Sequence, residues 1–133
     1  MNNANPSDNM KIIHQYTRSQ ALTDGILIDV TDTAREVGLK FPTAVTAAVW
    51  DDTITWDPTH LYPQDEIGRL WDVLTCARAA ATTCPGDTHV TFQVFRVPNT
   101  ADAVLVRPVD LVLTIGQGDT PAPVLTVFAL GED

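Results

Sequence analysis

Positive charge is scarce in this chain. Eight Lys plus Arg stand against seventeen Asp plus Glu over 133 residues, a formal charge of −9. Lys11, Arg18, Arg35, Lys40, Arg69, Arg78, Arg96 and Arg107 are scattered one at a time, and a surplus of negative potential repels phosphate backbones. Direct binding to DNA, RNA or an anionic membrane face is therefore not expected. Long apolar runs are also missing, since no window approaches the ~18 consecutive apolar residues of a spanning helix. The opening MNNANPSDNM carries neither a base nor an apolar stretch, unlike a secretory or transit signal. A soluble, cytoplasmic protein with a flexible tail over residues 1–10 is the expectation.

Cysteine and serine are almost as rare. Cys76 and Cys84 fall short of the four ligands of a structural zinc site, and along a helix they would lie ~12 Å apart, too far to bond without bending the chain. Ser7 and Ser19 are the only serines, and neither sits in a G-x-S-x-G elbow. His14, His60 and His89 do not have the four-residue spacing of a zinc helix. IGQGDTP, residues 115–121, lacks the lysine and the following helix of a phosphate-binding loop and reads as a hairpin turn. Nucleophilic catalysis has little to work with, and no cofactor or metal is expected.

What is present is the composition of one ordinary globular domain, 44% apolar and 19% charged, expected over residues 11–130. In YTRSQALTDG, Thr17 and Gln20 make a capping box and Gly25 a stop, predicting a helix over 18–24. ILIDV suits a short strand. In TDTAREVG, Thr33 as cap, Glu36 and Gly38 predict a second brief helix. FPTAVTAAVWDD, with Pro42 at a first helical position, predicts a helix over 42–52, although its β-branched residues also suit a strand.

The strongest periodicity follows a proline-containing loop over 53–64. Ile67, Leu70, Trp71, Leu74 and Ala77 fall at i, i+3, i+4, i+7 spacing, predicting a helix over 65–83 that buries Trp71. Asp65 and Glu66 stand in its first turn, where the helix dipole favours carboxylates, and Asp65 reaches Arg69 at i+4. From residue 88 the period changes to two, and THVTFQVFRV, AVLVRPVDLVLTI and VLTVFAL predict three antiparallel strands, the middle one disturbed at Pro108. The fold expected is α+β, N-terminal helices packed on a C-terminal three-stranded antiparallel meander.

Acids and indoles concentrate in WDDTITWDPTHLYPQDEIGRLWD, residues 50–72, which holds every tryptophan of the chain and one base, Arg69. Trp50, Asp51, Asp52, Trp56, Asp57, Asp65 and Glu66 form a candidate protein-binding face, since tryptophan is enriched among residues that carry binding energy. Trp50 and Trp56 serve equally well as closures of the core. A second reading of the same region is a divalent-metal or acid–base site built from Asp51, Asp52, His60, Asp65 and Glu66, whose spacing fits no EF-hand. A third is a homo-oligomeric module.

YTRSQALTDGILIDV, FPTAVTAAVWDD and QDEIGRLWDVL together resemble a family of short uncharacterised proteins of bacterial chromosomes, plasmids and phages. The resemblance implies a mobile-element setting and no reaction, cofactor or catalytic residue. In that setting the acidic surface is expected to serve a non-enzymatic binding protein. Its expected partner is a basic protein or nucleic-acid-binding host complex, as for an anti-CRISPR or anti-restriction protein, with a homodimer as a further possibility.

Overall fold

The computed structural model describes residues 17–60, 64–100 and 105–132; the tail expected over 1–10, with Lys11 and His14, lies outside them. The chain is α+β, but its sheet has five strands rather than three and is mixed. Helix α1 (Arg18–Thr23) leads into strand β1 (Leu27–Asp29), helix α2 (Thr31–Glu36) and strand β2 (Thr43–Thr46). A three-residue helical segment α3 (Ala47–Val49) runs into a π-helical turn, Trp50–Ile54. Then come the long helix α4 (Glu66–Thr83) and strands β3 (His89–Arg96), β4 (Arg107–Gln117) and β5 (Pro123–Ala129).

The expected meander exists: β3 pairs with β4 and β4 with β5, both antiparallel. The order is β1-β2-β5-β4-β3, so β5 is central, and β2 runs parallel to it with Thr43 opposite Leu125 and Val45 opposite Val127. The helix expected over 42–52 is thus half strand. Thr43, Ala44, Val45 and Thr46 are all buried, and β-branched side chains fill a two-sided strand better than a helix. Pro108 does not split β4, because residues 107–109 extend past the register with β5 and pair with β3 alone among the described strands.

Helix starts follow local chemistry. Thr17 and Gln20 form the capping box on α1, and the carboxylate of Asp119, in the turn between β4 and β5, accepts from the backbone N–H groups of Arg18 (2.6 Å) and Ser19 (3.0 Å). Helix α2 begins at Thr31, ahead of the expected cap Thr33, and its N-cap Val30 makes no side-chain bond. Asp65 caps α4 through the N–H of Gly68 at 2.6 Å, which satisfies one donor that a helix start leaves open.

The main core lies between α4 and one face of the sheet. Leu70, Val73, Leu74 and Ala77 meet Phe92, Val94, Leu111, Leu113, Leu125 and Val127 there. Inward residues of β3 alternate, with Val90, Phe92, Val94 and Arg96 buried, the period expected of a half-buried strand. On the opposite face α1 covers β1 and β2 through Ala21, Leu27 and Ala44. Beyond β5, Glu132 ties back to the sheet, accepting from the Thr46 hydroxyl and the Ala129 N–H, each at 2.8 Å.

The stripe on α4 is centred differently from the periodicity. Leu70, Leu74 and Ala77 are buried as expected, but the flank added to them is Arg69 and Val73. Ile67 is 71% exposed and Trp71 39%, so Trp71 is not a core residue. Apolarity alone places Ile67 and Trp71 inside; an arginine displaces them because partners for its guanidinium arrive from distant parts of the chain.

Candidate functional site

The π turn is closed by the Thr55 N–H to the Trp50 carbonyl at 2.9 Å, five residues apart. It leaves Asp51 and Asp52 exposed while Thr53 and Ile54 turn inward. Trp50 is half-buried against the main core. Trp56 is 6% exposed; its ring lies 4.1 Å from that of His60 and 4.6 Å beneath the Arg69 guanidinium, within the range of a cation–π contact. The Trp56 N–H donates to Glu66 Oε2 at 3.2 Å. Asp57 Oδ1 accepts from the N–H and hydroxyl of Thr59, a local turn that holds its carboxyl below the usual range.

Arg69 joins these pieces. Its Nε donates to the Ile54 carbonyl at 3.1 Å, and Nη1 donates to Gln64 Oε1 at 2.8 Å and to the Val97 carbonyl at 3.2 Å. A second buried arginine, Arg96, donates to the Arg69 carbonyl at 2.5 Å and to Asp72 at 3.3 Å. Burial first, and then the neighbouring Arg96 charge, lower the Arg69 pKa to about 10, against the pull of Asp72 and Glu66. Asp72 itself is 72% exposed, so compensation for the two cations comes mainly from carbonyl dipoles and the indole face. Trp56 Nε1, Arg69 Nη2 and Arg96 Nε are buried with no hydrogen-bond partner among the described residues, an arrangement that disfavours the charged and polar groups there.

The stretch 50–72 therefore separates into two layers. Trp56, Glu66 and Arg69 are structural: the indole is withdrawn from the surface and the Glu66 carboxylate is half-buried against the backbone of Trp56. Asp65 and Asp57 are exposed but occupied by a helix cap and a turn. The expected Asp65–Arg69 ion pair does not form, because Arg69 turns inward. Asp51 and Asp52 are the free acids of the set. Sequence reasoning missed Ile67 and Trp71, which stand four residues apart on the wet face of α4, where i and i+4 side chains are neighbours. An arginine inside the apolar period, at position 69, was the available clue that this helix is rotated.

The metal reading finds no assembled ligand set, as no group of three or more His, Cys, Asp or Glu side chains converges among the described residues. Cys76 and Cys84 are unbonded. Burial, and then Asp72, push the Cys76 thiol pKa up, away from the thiolate that nucleophilic chemistry uses. Of IGQGDTP, Ile115, Gly116 and Gln117 end β4 and Gly118, Asp119, Thr120 and Pro121 lie in the β4–β5 turn, and no helix among the described residues is long and apolar enough to cross a membrane.

The fold and the site define an α+β protein with a mixed five-stranded sheet, whose acidic segment is stapled from beneath by two arginines. The chain belongs to a family of unknown function, DUF6573, whose model matches residues 1–133. No curated protein and no solved structure matches it.

Proposed function

We propose that this is a non-enzymatic protein-binding protein that docks a basic partner through the exposed face of α4, with Trp71 and Ile67 at the centre and acids around them. The observation that carries the reading is the outward position of Trp71 and Ile67, one turn apart on α4, on a helix that also exposes Asp72 and carries the exposed cap Asp65. A large aromatic with an apolar neighbour inside a polar rim is the usual make-up of a binding centre. Of the residues named from sequence, Asp51, Asp52, Asp57 and Asp65 are exposed and available to a partner, whereas Trp50 and Glu66 are half-buried and Trp56 is buried.

Net charge sets the partner class. A chain at −9 associates with positively charged surfaces, and a surface built to hold nucleic acid is one of these. Together with the mobile-element setting that the sequence resemblance implies, that favours an antagonist of a host CRISPR or restriction complex, occupying its nucleic-acid channel.

The test is capture from bacterial lysate on immobilised wild-type chain and on I67S/W71S. A specific partner is expected on wild type only, released as salt rises from ~0.05 to ~0.5 M because screening shortens charge attraction to a few ångströms. A complex that survives both the substitutions and high salt would overturn the reading. Sedimentation of the free chain at two concentrations separates this face from a self-association surface.

A further inference from the structure

A groove of about 350 Å³ opens at the far end of α4. Its floor is aliphatic, from Leu113 and Ile115 of β4 and Leu125 of β5, with Leu39 as a wall. Leu39, Leu113 and Leu125 are buried, whereas Lys40, Phe41, Arg78 and Thr82 are exposed, which sets two cations at the mouth of an apolar slot. No carboxylate lies within ion-pair distance of either among the described residues, although acids outnumber bases by two to one in the chain. Arg78 lies against the turn that ends α2: a Cβ on Gly38 would stand 2.8 Å from Arg78 Nε, and the φ of +98° at Gly38 favours glycine there.

We propose that this groove binds an aliphatic monocarboxylate of medium chain length, its tail along Leu113, Ile115 and Leu125 and its carboxylate between Lys40 and Arg78. Size argues for a small molecule: the volume falls at the lower end of ligand sites and equals about a dozen water-sized groups at ~30 Å³ each. A protein partner would need an interface of ~800 Å² per side. Charge argues for a single negative head, since the surrounding negative field penalises a dianion more than a monoanion. An anion between two cations, with a tail on an aliphatic floor, satisfies both halves of the lining at once.

Decanoate titrated into the isotope-labelled full chain, followed by amide NMR, tests this. Saturable shifts confined to residues 38–41, 78–82 and the facing ends of β4 and β5 are expected. K40Q/R78Q should weaken decanoate by about tenfold or more, the scale of one charge-assisted contact, and A81L should weaken it by partly filling the slot while leaving the fold's spectrum intact. Decyltrimethylammonium binding as well as decanoate would overturn the proposal, as would decyl phosphate binding more tightly, an unchanged affinity in K40Q/R78Q, or no saturable shift. Concentration-dependent broadening of the same residues without ligand would assign the groove to a second copy of the chain and overturn it too.

Discussion

Arg69, in the first turn of α4, and Arg78, towards its end, carry the same guanidinium in opposite circumstances. Arg69 is 2% exposed and bonded to carbonyls of Ile54 and Val97. Arg78 is exposed over a groove with no acidic partner among the described residues. The first cation is a fastener between segments distant in sequence, and the second is available to something outside the chain. A net charge of −9 therefore says little about where positive charge is used, because scattered bases in sequence become two pairs in space, Arg69 with Arg96 and Lys40 with Arg78.

The comparison breaks most visibly under truncation. Arg69→Ala removes the donor for two buried carbonyls and leaves Trp56 without its cap, so a loss of about 3–5 kcal/mol in urea unfolding is expected. Arg78→Ala should stay within about 0.5 kcal/mol. Equal losses would show that the two arginines do not differ in kind. The indoles give a parallel contrast: Trp56→Ala should cost about 3–5 kcal/mol through the space it empties, and Trp71→Ser much less while removing partner capture.

Smaller effects sharpen the division among the acids. Asp65→Ala should cost about 1 kcal/mol through loss of the cap on α4, whereas Asp51→Ala and Asp52→Ala should each stay within about 0.5 kcal/mol. For Arg69, a native pKa near 10 lies below its ordinary value, so the unfolded chain holds that proton more tightly and this group's contribution rises only as pH climbs past 10. The stability gap between wild type and Arg69→Ala should accordingly be flat from about pH 6 to about pH 9. Asp57 behaves the other way: held below the usual carboxylate value, it stabilises in full above pH ~4 and loses this as pH falls through its native value. Asp57→Asn should flatten that acid limb slightly.

Much of the architecture was legible because its causes are local. The capping box of Thr17 and Gln20, the extent of α4, and the alternation of β3 all depend on neighbours a few residues away. What escaped depends on meetings across the chain. β2 is a strand because β5 lies beside it, and Asp119 caps α1 from a turn made long afterwards. In the candidate site, the concentration of acid was readable, but the exchange of roles between Trp56 and Trp71 was not. Periodicity counts apolar atoms, and a buried guanidinium finds its acceptors only after Val97 and Ile54 have come together.

The placement of β5 has a consequence for assembly. As the central member of β1-β2-β5-β4-β3, it joins the β1–β2 pair to the β3–β4 pair among the described strands. β5 follows the other four in chain order, so until it is made each pair has an open edge on the side it will occupy. The interval before it arrives is when the nascent polypeptide is most prone to pair with a wrong strand.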